Sequence, residues 1–160
     1  MAAELLEGGA IGRATADLPM VPEVMLPPRD AEGRSIWVSR ARPEVDRIAC
    51  PWLIRRFGDP NAVFLFVSPA EVTGVADRFG AAAFDNESAL AAWSHDGARC
   101  TFDLMVERLG LAHLPGLARL SPIVRGADTG RPDLVPQAAG LLAISLGLSR
   151  IFPDDLATRC

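Results

Sequence analysis

The chain has 160 residues, a formal net charge of −4 and 49% hydrophobic residues, with a mean hydropathy of +0.20. That is room for one domain, too apolar for wholesale disorder, and of the wrong sign for non-specific nucleic-acid binding, which needs a positive field.

In chain order, residues 1–33 carry Pro19, Pro22, Pro27 and Pro28 without sustained periodicity, and read as a flexible N-terminal tail or linker ahead of a domain over 34–160. "RSIWVSR" (34–40) alternates polar and apolar residues and predicts the first strand, with Ile36 and Val38 on one face. Asp46 to Phe57 reads as helix, broken at Pro51. One solution starts a new helix with Pro51 in its first position, where no N–H is missed. "AVFLFV" (62–67) is a continuous β-favouring run, expected as a central strand. Pro69 opens and Gly80 closes the next helix, and "AAAFD" (81–85) reads as a short strand ending in an acid.

"SHDGARC" (94–100) carries an Asp-Gly turn signal. A helix follows over 101–110, with Thr101 as its cap and Gly110 as its stop. A further helix begins at Pro115 and is expected to end at Gly126. "AAGLLAISLGL" (138–148) lies within a long apolar helix over 133–152. Eleven such residues fall short of the roughly 20 that a membrane span needs, so the helix is expected to be buried. The predicted class is therefore α/β or α+β: a compact single domain, a small sheet packed with several helices, and a long apolar C-terminal helix.

Every one of the 16 basic residues is Arg. Genome base composition accounts for that more readily than chemistry does, so only clustering is informative. Arg40, Arg42, Arg47, Arg55 and Arg56 fall within 17 residues. Arg40 closes the first strand and Arg47 opens the first helix, so a short loop brings them together. Two guanidinium forks at a helix N-terminus make an anion site; pairing with Glu44, Asp46 or Asp59 is the structural alternative. Of the adjacent Arg55 and Arg56, at most one can share that site. Trp52 is expected in the core.

Three cysteines, at 50, 100 and 160, are an odd number without C-x-x-C, which suits a reducing cytosol. Cys50 at a helix start is a candidate reactive thiol, although a lone cysteine in an apolar stretch is also an ordinary small core residue. "SHDGARCTFD" places His95, Cys100 and Asp103 within nine residues. They offer a weak alternative metal site, on a spacing that fits no established zinc pattern. His95 as a titratable partner of an anion is the other reading. His113 reads as a surface or capping residue. Arg125 and Asp128 flank a glycine and could line a pocket mouth or pair with each other. No phosphate-loop, dinucleotide, nucleophile-elbow or H-E-x-x-H motif occurs, so no catalytic residue is assigned.

The strings "WVSRARPEVDRIACPWLIRRFGDP", "FLFV", "FD", "SHDGARCTFD", "IVRGADT" and "AAGLLAISLGLSRIFPDD" occur in that order. In them the chain resembles the C-terminal domain of ChrB-type chromate-resistance proteins, over about residues 36–155. The resemblance implies a cytoplasmic domain that binds or senses a tetrahedral oxyanion, chromate or sulfate, with Arg40, Arg47, His95 and Arg125 as ligand-binding residues. It implies no cofactor. DNA binding in the regulators would depend on a separate N-terminal portion, for which the roughly 35 residues here are too few. Family members also usually continue past "FPDD" through another helix. The alternatives are a metal- or thiol-dependent detoxification enzyme, and an oligomerisation domain that forms a homodimer through its apolar final helix.

Overall fold

The computed structural model describes residues 20–42, 44–86 and 93–151. Its centre is a three-stranded parallel sheet formed by β1 (Ile36–Arg40), β2 (Val63–Val67) and β3 (Ala82–Ala83), in the order β2-β1-β3. The register pairs Ile36 with Val63 and Arg40 with Val67 on one side of β1, and Trp37 with Ala82 on the other. A bridge between Phe84 and Trp93 prolongs the β3 edge. The predicted class is thus observed: a small parallel sheet with helices around it.

Parallel strands need crossovers. Here they are α1 (Asp46–Phe57) between β1 and β2, and α2 (Val72–Phe79) between β2 and β3. Then follow α3 (Thr101–Arg108), α4 (Pro115–Asp128) and α5 (Pro136–Ile151). Because β1 is covered on both faces, Trp37, Val38 and Ser39 are all buried, and the simple alternation expected from Ile36 and Val38 does not hold. Trp37 stacks edge-on with Phe84 and Trp93. Leu53, Ile54 and Phe57 of α1 close the core beneath them; burial of each such side chain is worth about 1.5–3 kcal/mol.

Five local expectations are corrected. The tail assigned to residues 1–33 packs on the domain over its second part: Val21 and Leu26 are core residues, and the Val21 N–H donates to the Phe57 carbonyl at 2.7 Å. Residues 1–19 lie outside the described residues. Helix α1 runs unbroken through Pro51, which has no N–H to give to the Arg47 carbonyl four residues earlier. Trp52 is 47% exposed, on the solvent side of that helix. Helix α4 does not stop at Gly126. A Cβ there would sit 2.8 Å from the Ala138 Cβ and 2.9 Å from the Arg131 carbonyl, so this glycine lets α5 approach α4. Helix α5 in turn is not buried all round. Ile144, Leu148 and Ile151 form an exposed apolar stripe, at 63%, 38% and 69% exposure. No helix among the described residues is long and apolar enough to cross a membrane.

Candidate functional site

In an open parallel sheet, the crevice where successive strands depart to opposite sides lies beyond the strands' carboxyl ends, and ligands bind there. With the order β2-β1-β3, that switch point lies between β1 and β3. Arg40 is the last residue of β1, and Asp85 follows β3 by two residues. The loop after β1 delivers Asp46 and Arg47 as the first two residues of α1. The segment after the β3 edge brings His95, and the last residue of α4 is Asp128. Six side chains from distant parts of the chain meet at one point.

The imidazole is at the centre. His95 Nε2 lies 3.2 Å from Asp85 Oδ1, 3.2 Å from Asp128 Oδ2 and 3.7 Å from Asp46 Oδ2. Asp46 is wholly buried, and its carboxylate accepts the Thr101 N–H at 2.6 Å and the Phe102 N–H at 3.3 Å, capping α3 from α1. Its own backbone N–H points to Asp128 Oδ1 at 3.4 Å. His95 stays 42% exposed, so the cluster opens to solvent on that side.

These neighbours set the titration. Burial, then the Asp128 and Asp85 charges, push the Asp46 carboxyl up to about 7. Hydrogen bonds to Asp128 and Asp85 hold His95 up, at about 10, against its desolvation. Burial would raise Asp85, yet the His95 hydrogen bond and the Arg47 and Arg40 charges outweigh it and hold that carboxyl low.

Arg40 and Arg47 come together beside His95, and their meeting point is the Asp85 carboxylate. Arg47 Nη1 donates to Asp85 Oδ2 at 3.1 Å, and Arg40 Nη2 lies 3.5 Å from the same oxygen. Arg40 Nε also donates to the Asp85 carbonyl at 3.1 Å, and Arg47 Nη2 to the Arg42 carbonyl at 3.2 Å. Arg47 Nε is buried and has no hydrogen-bond partner. Arg42, Val45 and Asp85 hold left-handed backbone (φ 59°, 26° and 44°), a conformation costly for residues other than glycine and concentrated at functional sites. All three flank this cluster.

The remaining candidates lie elsewhere. Arg125 makes a bidentate pair with Asp103 at 2.7 and 2.9 Å, and Asp103 also accepts the Cys100 N–H at 3.1 Å. Cys100, not Thr101, is therefore the residue that caps α3, with Asp103 completing a reciprocal capping box. The set His95, Cys100 and Asp103 is not what converges: among the described residues, the ligand atoms that gather are those of Asp46, His95 and Asp128, all within 4.8 Å of one another. Cys50 is fully buried, and burial followed by the Asp46 and Asp85 charges pushes its thiol well up, the reverse of activation. Cys100 is shifted in the same direction by burial. Arg55 donates to the Ala62 carbonyl and lies over the Phe64 ring, and Arg56 is exposed; neither reaches the site. His113 is a surface residue on the Gly110 carbonyl, as expected. Asp46 and Asp85 were missed as ligands, whereas Asp128, expected with Arg125 at a pocket mouth, does reach the cluster without Arg125. The acid closing "AAAFD" was the one signal Asp85 carried, and in the sequence Asp46 reads only as an ion-pair partner for the arginines.

The profile of the ChrB C-terminal domain matches residues 37–159. The chain belongs to this family. A curated relative, Protein ChrB of Cupriavidus metallidurans, is 37% identical over 128 residues, which are 80% of this chain and 37% of that protein. The chain thus spans well under half the length of the ChrB relative it matches. No solved structure matches the chain. The expected membership of the ChrB-type chromate-resistance family is established.

Proposed function

We propose that this ChrB domain holds a metal cation between Asp46, His95 and Asp128, and that its part in chromate resistance runs through that centre. The observation that carries the reading is the surplus of acceptors around His95 Nε2. One ring N–H cannot serve three carboxylates, and Arg40 and Arg47 both reach Asp85. Asp128 and Asp46 face the same imidazole as well, although Asp46 also accepts the Thr101 N–H and Asp128 the Asp46 N–H. A cation with bonds of about 2.1 Å separates adjacent ligand atoms by about 3.0 Å, and here Nε2 stands 3.2 Å from Asp128 and 3.7 Å from Asp46, so a small contraction would admit one. Carboxylates with one imidazole suit Mn(II), Fe(II) or Zn(II); the Cys100 thiol lies against Asp46, but burial pushes it up, as it does Cys50, and neither is among the ligand atoms that gather here. Titration of the protein with Mn(II), followed by electron paramagnetic resonance and calorimetry, tests this. A single site lost in His95→Ala and Asp128→Asn is expected, and unchanged Mn(II) binding in both variants overturns it.

A second reading, recognition of chromate or sulfate by arginines, is favoured by the meeting of Arg40, Arg47 and His95 at one point. That point already carries an internal anion, Asp85. Arg125 is committed to Asp103 and has no part in this reading.

A further inference from the structure

We infer that α5 is one half of a two-fold homodimer interface: it packs antiparallel against α5 of a second copy of this chain, with the axis passing between Ala143 and Ile144. The inference is independent of the cation reading. It gives the homodimer expected from the apolar final helix a direction and a register.

Three observations carry it. First, the outer face of α5 is apolar and uncovered. Four of the nine large hydrophobic side chains exposed among the described residues belong to this helix: Ile144, Leu146, Leu148 and Ile151. A single exposed leucine is ordinary, whereas contiguous ones mark a contact surface. No charged residue lies between Asp133 and Arg150 to keep another apolar surface away. The inner face is already used: Ala138 and Ser145 are buried, and Ser145 Oγ accepts the Val45 N–H at 3.0 Å.

Second, the outer face carries glycines that the fold of one chain does not explain. Gly126 lets α5 approach α4. At Gly140 and Gly147, by contrast, an added Cβ would meet nothing within 4 Å, although glycine is among the poorest residues for a helix interior. Seven residues apart, they share one face of α5 with Ile144 and Ile151 beside them. A second helix backbone has room to come close over both.

Third, this face is complementary to itself, and in one direction. Asp133 and Arg150 stand exposed at opposite ends of the uncharged run, and neither makes an ion pair among the described residues. Antiparallel pairing brings Arg150 of each copy toward Asp133 of the other, twice by symmetry, whereas parallel pairing sets like charges together. The midpoint of Pro136–Ile151 is also the midpoint of Gly140 and Gly147. A two-fold axis there stacks Gly140 of one copy on Gly147 of the other and sets the two Ile144 side chains together. A partner of different sequence has no reason to share that midpoint, so the occupant is a second copy.

The test uses the whole chain carrying Cys160→Ser, so that the buried Cys50 and Cys100 are its only thiols. Sedimentation equilibrium over a range of concentrations should show a monomer–dimer equilibrium. Ile144→Glu and Gly140→Leu, both at exposed positions and checked for folding by circular dichroism, should each weaken it about 100-fold or more, because symmetry counts each change twice. Gly140→Leu also improves helix propensity, so a loss of dimer there is not a loss of fold. Arg150→Asp should weaken association less, and adding Asp133→Arg should restore it. Under mild oxidation Ile144→Cys should give a covalent dimer. Ile151→Cys should not, because the register holds its two copies about 22 Å apart along the helices. Cross-linking through Ile151→Cys instead would reveal a parallel pair and overturn the inference. A dimer indifferent to Ile144→Glu and Gly140→Leu also overturns it. So does a monomer at every concentration, which would give this face to residues 152–160 or to another protein.

Discussion

His95 Nε2 stands 3.2 Å from Asp128 Oδ2, joining the segment after the β3 edge to the last residue of α4. Through this contact the sheet's switch point is closed by a helix that comes later in the chain than the whole sheet. It also raises the imidazole's proton affinity, and stability should report it.

His95 is held up to about 10 in the folded protein, against about 6.5 in an unfolded chain. The folded state therefore binds its proton more tightly. The stabilisation is fully present below about 6.5 and is lost as pH rises toward 10. Solvent screening at this half-exposed ring keeps the effect modest. Chemical denaturation between pH 6 and 10 should show stability falling with pH, and His95→Ala should flatten that slope.

Asp46 acts with the same sign at lower pH. Burial, then the neighbouring aspartates, raise its carboxyl to about 7, above the roughly 3.9 of a free Asp. The folded state again holds the proton more tightly, so stability declines from about pH 4 to 7. Asp46→Asn keeps an acceptor for the Thr101 N–H and should remove this decline. A wild-type slope retained in the variant would contradict the assignment.

Arg125 and Asp103 are structural partners. Arg125→Ala leaves the buried Asp103 carboxylate with only the Cys100 N–H and thiol beside it, and should cost about 1–3 kcal/mol of stability. Mn(II) affinity should be unchanged, because neither residue belongs to the His95 cluster. Denaturant titration and calorimetry on one preparation read both quantities.

Cys50 and Cys100 should resist alkylation in the native state. Both are buried, with thiols pushed up by desolvation and nearby carboxylates, and the thiolate is the reacting form. Peptide mapping after iodoacetamide at pH 8 should find them modified far more slowly than in denaturant. Rapid native labelling of Cys50 would restore the reactive-thiol reading.

Gly126→Ala should destabilise by about 1–3 kcal/mol, the cost of overpacking, since the added methyl meets the Ala138 Cβ and the rigid Arg131 carbonyl at under 3 Å. Thermal denaturation measures it. A shift within error would mean that α5 can move off α4 at little cost.

Much of the frame was legible in the chain. The β-rich run ending at Val67, Pro69 and Gly80 around α2, and the short "AAAFD" strand depend on local conformational preference, which a sequence states directly. So did the nearness of Arg40 and Arg47, because six intervening residues and a strand-to-helix loop leave them little freedom. Only the tertiary structure decided what those arginines face. Asp85 reaches them because β3 pairs with β1 on the side opposite β2, and Asp128 reaches His95 because Gly126 continues α4 where a glycine ordinarily signals a stop. Pro51 likewise sits within a helix that local rules would break, because Leu53, Ile54 and Phe57 gain more by burial than the missing hydrogen bond costs. Turns and strands follow from torsional preferences within a few residues. Which carboxylates surround an imidazole depends on where whole elements pack, and on burial energies summed across the core.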